Sequence, residues 1–224
     1  IQGKLSIKDG ATIRGIVFDG ASEVADAIRI DDTVTGAPVV ISGCTVRNYT
    51  NRFVYVSLSG KIESLTIDDC IFIGADNSTT NKAIYASSAH TQVETLSVTN
   101  STFLNFNTGS NYFFRINCGE ELVLMPVVLI DHCTFYNCYD RRGVYLYNAG
   151  RSTIKNCISA FSERRDDTKS FTAYGDESIV KNVISYNVDL YGSAPKENII
   201  SKNPLFVDAE NGNFQLYKDS PAVG

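Results

Sequence analysis

The sequence has no tryptophan, a single methionine and no long apolar run. Without a stretch of about 18 apolar residues, the chain has no segment that predicts a membrane-spanning helix. No segment shows a sustained helical period of apolar residues either, which argues against an α-helical fold. Glycine and proline are too few for a collagen-like or low-complexity chain. What is present is a series of short segments with alternating apolar and polar residues, the pattern of β-strands.

Positive charge is also scarce. Twenty lysines and arginines stand against 25 acidic residues, so the formal net charge is −5 at pH 7. This balance gives no sign of a general affinity for nucleic acid. The six cysteines include no closely spaced C-x-x-C pair, so they do not indicate a zinc site. We therefore predict no nucleic-acid partner and no metal centre built on cysteine.

One eight-residue phrase returns seven times along the chain. It alternates apolar and polar residues on both sides of a two-residue break, as in Leu65-Thr66-Ile67-Asp68-Asp69-Cys70-Ile71-Phe72. The residues that share its sixth position are Ile16, Cys44, Cys70, Ser101, Cys133, Cys157 and Val183. A repeat of this length predicts stacked coils, each closed by short strands. The cysteines of this column are either small core residues or partners in a disulfide between neighbouring coils.

Each coil is predicted to hold three short strands. In the third coil these are residues 65–67, 70–73 and 83–86, with a tight bend at Asp68-Asp69 and a polar loop after residue 73. Asparagine tolerates the left-handed backbone that such bends need. The asparagines that recur at predicted corners are Asn48, Asn100, Asn105, Asn137, Asn156, Asn182 and Asn187, and His132 takes one further corner. Strands of successive coils must then pair in parallel, so that each inward position forms a column along the axis.

The repeat covers residues 1–202 as a single domain. Residues 203–224 depart from it and are predicted to form a C-terminal capping segment, because the end of a solenoid must shield its apolar interior from water. The start of the chain carries no initiator methionine and no comparable cap. We therefore expect the sequence to be a segment of a longer protein.

The repeat, the asparagine corners and the tail together resemble a known family. Residues 65–72, 203–208 and 219–222 are similar to stretches of the right-handed parallel β-helix proteins of the pectate-lyase-like superfamily, and the tail resembles chondroitinase-B-like lyases and uncharacterised β-helix lipoproteins of gut Bacteroidetes. The resemblance implies an all-β right-handed parallel β-helix of about seven coils with three short strands each. It also implies a secreted or cell-surface location in a bacterium. It implies little about activity, because this fold carries lyases, hydrolases, tailspikes and binding proteins.

In such folds the outer surface of the strand that follows the longer loop lines the glycan groove. The outward positions of that strand are Arg29, Tyr55, Tyr85, Arg115, Tyr145 and Thr172, and two residues later come Asp31, Ser57, Ser87, Asn117, Tyr147 and Tyr174. Directly before the strand come Asp26, Arg52, Lys82, Tyr112, Arg142 and Lys169. If side chains alternated strictly along the strand, the side chains of this last set would point into the core. Because most of its members are charged, we predict that they lie at the end of the loop and face solvent.

The first functional hypothesis is binding of an acidic polysaccharide along this face. Tyrosine rings pack on sugars, and arginine pairs with carboxylate or sulfate. The predicted contact residues are Arg29, Tyr55, Tyr85, Arg115, Arg142, Tyr145 and Tyr147. The alternative interpretation is structural, because tyrosine and arginine also suit an exposed strand, where they protect the sheet. A solenoid used for adhesion or as a scaffold would fit that interpretation.

The second hypothesis is a polysaccharide lyase that cleaves a uronate-containing glycan by β-elimination in the same groove. A metal-free lyase would use Arg115 or Lys82 to neutralise the carboxylate or remove the proton, and Tyr85 or Tyr145 as proton donor. A calcium-dependent lyase is weakly indicated, because calcium needs several oxygen ligands and the strand itself offers Asp31 alone. The acids of adjacent loops are Glu120, Glu121, Asp176 and Glu177. The glycan and the oligomeric state stay open.

Overall fold

The structure is a computed structural model that describes residues 1–31, 34–57, 61–74, 81–88, 90–107, 112–118, 126–147 and 149–223. It is an all-β parallel β-solenoid of about six turns, which confirms the predicted fold class and is close to the predicted coil number. One short 3-10 helix, Ala209–Asn211, is the only helical element in the described part of the chain. None of the described residues forms a helix with the length and apolarity needed to cross a membrane.

The first sheet collects one strand from each coil, and all neighbours in it are parallel. In spatial order its strands, numbered along the chain, are β1 (Leu5–Ile7), β4 (Asp26–Ile30), β7 (Arg52–Val56), β10 (Lys82–Ser88), β13 (Phe114–Cys118), β16 (Val144–Leu146), β18 (Lys169–Ala173) and β20 (Asp189–Tyr191). Its order follows the order of the coils, as expected when each turn of the solenoid adds one strand beside the last.

The second sheet contains the other two strands of each coil. Its first row is β2 (Ala11–Arg14), β5 (Thr35–Ser42), β8 (Lys61–Asp68), β11 (Gln92–Thr99), β14 (Val127–Asp131), β17 (Arg151–Ala160), β19 (Ile179–Tyr186) and β21 (Lys196–Ile200). Its second row is β3 (Val17–Asp19), β6 (Thr45–Arg47), β9 (Ile71–Ile73), β12 (Thr102–Leu104) and β15 (Thr134–Tyr136). From β17 onward the two strands of a coil are continuous through the bend. The prediction of three separate strands per coil is therefore correct only for the earlier coils.

Inward columns of apolar residues form the core, as the repeat predicts. Ile13, Ile41, Ile67, Val98, Ile130 and Ile154 pair in register through the second sheet and are buried. In the neighbouring row, Phe103 stacks between Phe72 and Phe135 with ring centroids 5.0 and 4.8 Å away. Parallel strands lie about 4.8 Å apart, so rings on successive coils meet face to face along the axis.

The predicted asparagine corners adopt left-handed backbone. All seven have φ between 50° and 58°, and His132 has the same conformation with φ 53°. Their amides also join one coil to the next. Asn156 Nδ2 donates to Asp131 Oδ1 at 2.9 Å, and Asn182 Nδ2 donates to Asn156 Oδ1 at 3.2 Å. The corner positions therefore combine a backbone requirement with hydrogen bonds that follow the solenoid axis.

Five cysteines have described side chains, and all five are buried and free of disulfides: Cys44, Cys70, Cys133, Cys138 and Cys157. The thiol of Cys70 donates to the carbonyl oxygens of Asp68 and Ile41 at 3.2 and 3.5 Å. Burial raises the pKa of Cys70 to about 12. The sequence left two interpretations of the cysteine column, and the structure supports the first: Cys44, Cys70, Cys133 and Cys157 are small core residues and form no disulfides.

These cysteines are expected to resist alkylation in the native protein, because their buried side chains are shielded from the reagent. At Cys70 the raised pKa also leaves almost no thiolate. Iodoacetamide treatment at neutral pH, followed by peptide mapping, should leave the five sites unmodified, whereas the same treatment in denaturant should modify all of them. Rapid native modification of Cys70 would contradict the described packing of this column.

The C-terminal segment forms an antiparallel hairpin of β22 (Phe206–Asp208) and β23 (Asn213–Leu216) around the short 3-10 helix. The rings of Phe206 and Phe214 contact Tyr136 with centroids 6.2 and 5.6 Å away. The Tyr136 hydroxyl also donates to the Glu210 carboxylate at 2.5 Å. The hairpin is thus anchored to β15, beside the second sheet. Its role in closing the apolar interior stays a prediction.

Candidate functional site

The outer face of the first sheet carries the column of residues that the repeat predicts. Cross-strand pairs align Arg29, Tyr55, Tyr85, Arg115, Tyr145 and Thr172 in that order. We use the name tyrosine–arginine strip for this column together with Arg52, Lys82, Tyr112, Arg142, Tyr147 and Tyr174. The strip is held in place because its inward neighbours, such as Ile28, Ile84 and Phe114, are fully buried in the core.

The tyrosine rings of the strip form one continuous path along the solenoid. Successive ring centroids lie 6.0, 6.2 and 5.9 Å apart for the pairs Tyr55–Tyr85, Tyr85–Tyr112 and Tyr112–Tyr145. The path then continues from Tyr145 to Tyr147 and from Tyr147 to Tyr174, at 5.7 Å in each case. These distances lie within the range of favourable aromatic contacts. The rings therefore stabilise one another in a row that is several coils long.

Cationic side chains lie over these rings. The guanidinium carbon of Arg52 is 3.6 Å from the Tyr55 centroid, that of Arg115 is 4.5 Å from Tyr112, and that of Arg142 is 4.7 Å from Tyr145. Lys82 and Arg29 make longer contacts with Tyr112 and Tyr55. Such cation–π contacts restrict the arginine side chains to few conformations. Much of the entropy lost on holding an anion is therefore lost already in the free protein.

The residues directly before the strand do not all face solvent from the end of the loop, so that prediction is wrong. Arg52, Lys82 and Lys169 are half-buried first residues of β7, β10 and β18. Asp26 begins β4 and is buried against Arg52, whose Nε and Nη2 donate to its two carboxylate oxygens at 2.8 and 3.0 Å. The charges are tolerated beside the sheet because they pair with each other and lie over rings.

Three arginines of the strip have no acidic partner among the described residues. Among the residues that the structure describes, Arg29, Arg115 and Arg142 form no ion pair. The Nε atoms of Arg29 and Arg115 are also buried and have no hydrogen-bond partner among the residues described, while Arg115 Nη1 donates to the Tyr112 hydroxyl. Without a counter-charge, little offsets the free-energy cost of partly removing a guanidinium from water beside a packed sheet. The strip is thus locally cationic in a chain whose net charge is −5.

Two members of the strip, Lys82 and Tyr145, have shifted pKa values. Burial lowers the pKa of Lys82, the positive charges of Arg115 and Arg52 lower it further, and Asp140 opposes the change. Burial raises the pKa of the Tyr145 phenol, while Arg142 opposes that change. Lys82 therefore loses its proton more readily than an ordinary lysine, and Tyr145 keeps its proton more firmly.

Accessibility differs along the strip. The side chains of Tyr55 and Tyr145 point outward, yet these residues are only 6% and 5% exposed because neighbouring rings and guanidinium groups cover them. Tyr147 is 47% exposed. Tyr191, which sequence reasoning missed, is 56% exposed and continues the outward column by pairing with Thr172. Tyr147 and Tyr191, near the C-terminal end of the strip, are therefore the most accessible tyrosines of this set.

The acids considered for calcium are not brought together on the strip. Asp31 is half-buried directly after β4, and Asp176 and Glu177 are exposed before β19. Glu120 and Glu121 lie outside the described residues. Within the described part of the chain, no group of three or more histidine, cysteine, aspartate or glutamate residues could hold a metal ion.

Comparison with known proteins adds a family similarity without a function. Residues 2–108 match the model of a family described as "Domain of unknown function (DUF4957)". The match covers the N-terminal coils, including Tyr55 and Tyr85, and ends before Arg115. No curated protein matches the chain. The similarity is therefore consistent with the β-solenoid fold and leaves the function to be argued from the strip.

Proposed function

We propose that this chain is a glycan-binding β-solenoid that holds an acidic polysaccharide along the tyrosine–arginine strip. The observation that carries the proposal is that Arg29, Arg115 and Arg142 lie against tyrosine rings and have no carboxylate partner in the described part of the chain. Charge-assisted hydrogen bonds from guanidinium to carboxylate or sulfate are stronger than those between neutral groups. An anionic chain would supply the counter-charges that the described residues do not.

The aromatic path supports a sugar chain as the ligand. Tyrosine presents an apolar ring that packs on the faces of sugars and a hydroxyl that hydrogen-bonds to their edges. Coils of a parallel solenoid rise by about 4.8 Å, which is close to the length of one sugar unit in an extended chain. A polysaccharide lying along the axis could therefore meet roughly one row of the strip per sugar. We place this function at the cell surface or outside the cell, where an acidic polysaccharide would be met.

A second candidate function is a metal-free polysaccharide lyase, and Lys82 is the observation that favours it. Its lowered pKa increases the neutral fraction that can take the proton beside a uronate carboxyl group. Arg115 contributes to that shift and could neutralise the same carboxylate. Tyr85, a cross-strand partner of Arg115, is a candidate proton donor to the leaving oxygen. Tyr145 is less suited, because it is only 5% exposed.

A panel of acidic and neutral polysaccharides separates the two candidates. Binding and the ultraviolet absorbance of unsaturated uronate products are followed together, with and without calcium. The proposed function predicts saturable binding to an acidic glycan with no growth of absorbance. Absorbance growth that Lys82→Met abolishes would establish the lyase instead. No response to any glycan would contradict both and favour a solenoid that binds protein.

A further inference from the structure

A cavity of about 370 Å³ lies at the C-terminal end of the strip and is lined by Arg141, Arg142, Asp167, Lys169 and Tyr191. Its volume is at the lower end of the range of about 300–1,000 Å³ that is typical of small-molecule sites. Such a cavity suits one sugar unit rather than a long segment of chain. Neither Arg141 nor Tyr191 was identified from the sequence.

The charges around the cavity are unbalanced. Arg141 is exposed, and its side chain forms no ion pair or hydrogen bond among the described residues. The guanidinium of Arg142 lies over the Tyr145 ring and pairs with no described acid. The third cation, Lys169, shares Asp189 with Arg164, at 3.4 and 3.0 Å from the same carboxylate oxygen. Within the described lining, Asp167 is the one acid, and its side chain is exposed to water. The cavity therefore carries positive charge that the described residues leave uncompensated.

An aromatic wall completes the cavity. Tyr191 is 56% exposed and also lines a second cavity of about 290 Å³ together with Tyr174 and Lys196. Tyr174 is in turn in ring contact with Tyr147 and Tyr145 of the strip. The path of ring contacts thus ends at Tyr174, and the second cavity that Tyr174 and Tyr191 both line lies between that path and the cationic cavity. A chain lying on the strip would reach the cavity with its sugar faces already on tyrosine rings.

We propose that the cavity formed by Arg141, Arg142, Lys169 and Tyr191 is a subsite for one sugar that carries an anionic substituent, a carboxylate or a sulfate. The proposal rests on the proposed function, since that sugar belongs to the chain bound along the strip. The two arginines donate charge-assisted hydrogen bonds to the anionic group, and the Tyr191 ring packs on the sugar face. The subsite contributes affinity at the end of the strip where the rings are most accessible.

The first test compares Arg141→Ala with Arg151→Ala in titrations with an acidic oligosaccharide. Arg151 is an exposed arginine on the second sheet, without an ion pair in the described part of the chain, so its variant removes the same charge away from the strip. We expect Arg141→Ala to weaken binding by about tenfold and Arg151→Ala to leave it unchanged. Equal binding by both variants, with weakened binding in Arg115→Ala, would overturn the subsite and leave the proposed function standing.

The second test uses free glucuronate as probe and glucose as its neutral control, observed through the amide chemical shifts of the protein. We expect glucuronate to shift the amides of Arg141, Arg142, Lys169 and Tyr191, saturating at about millimolar concentration, and glucose to leave them in place. No shift at these residues would overturn the subsite. Glucuronate shifts in a protein that binds no acidic polysaccharide would support the anion subsite and contradict the proposed function.

Discussion

Replacing Arg115 by alanine is expected to weaken binding of an acidic polysaccharide by about ten- to a hundredfold, as the loss of a charge-assisted hydrogen bond predicts. Arg115 lies in the middle of the strip and contacts the rings of Tyr112 and Tyr145. Its guanidinium forms no ion pair among the described residues, so its charge is available to a ligand. The change removes both the cation and the contact that orders two rings. Isothermal titration calorimetry with a defined acidic oligosaccharide measures the loss.

Two further variants make this result interpretable. Arg151→Ala removes an equal charge from the second sheet and is expected to bind like the unmodified protein. Arg115→Lys keeps the charge and loses the planar fork, so its affinity should fall between those of wild type and Arg115→Ala. Thermal unfolding of each variant shows whether the strip still folds. Wild-type affinity in a folded Arg115→Ala variant would remove the central cation from the proposed site.

Replacing Phe103 by alanine is expected to lower the free energy of unfolding by about 3–5 kcal/mol. Phe103 is fully buried and stacks between Phe72 and Phe135 of the neighbouring coils. The hydrogen-bonded strands hold these coils at a fixed spacing, so they cannot close the cavity that alanine would leave. The expected loss of stability therefore includes both the free energy gained by burying the ring and the cost of an unfilled cavity. Urea unfolding followed by circular dichroism measures the change.

The matched control is Ile71→Ala. Ile71 lies on the adjacent strand β9, next to Phe72 in sequence, but it points outward and is 43% exposed. Truncating an exposed side chain usually changes stability by less than about 0.5 kcal/mol. Similar losses for the two variants would mean that the inward column is not the main source of stability.

The repeat predicts much of this fold from sequence because its two constraints are strict. A period of two residues decides which side chains point inward, and parallel pairing in register then stacks equivalent positions. The columns headed by Ile13 and Ile28 follow from these rules alone, as does the register of Arg29, Tyr55 and Tyr85. The left-handed corners follow from asparagine at fixed offsets.

The rest depends on contacts that the repeat does not encode. Tyr191 was missed because β18 and β20 pair with a register shift, so the repeat no longer predicts the outward position. The burial of Asp26 depends on a bidentate ion pair with Arg52 of the next coil. Tyr55 and Tyr145 are covered by side chains from other coils. Such side-chain packing across coils is set by tertiary structure, not by local pattern.

The most direct test of the central claim is a comparison of one acidic polysaccharide with its carboxyl-reduced form, which keeps the linkages and removes the charge. The proposed function predicts saturable binding of the acidic form that weakens with added salt, because salt screens exposed charges over about 8 Å at physiological ionic strength. It predicts much weaker binding of the reduced form. Equal binding of the two forms, insensitive to salt, would contradict recognition of an acidic chain by the tyrosine–arginine strip.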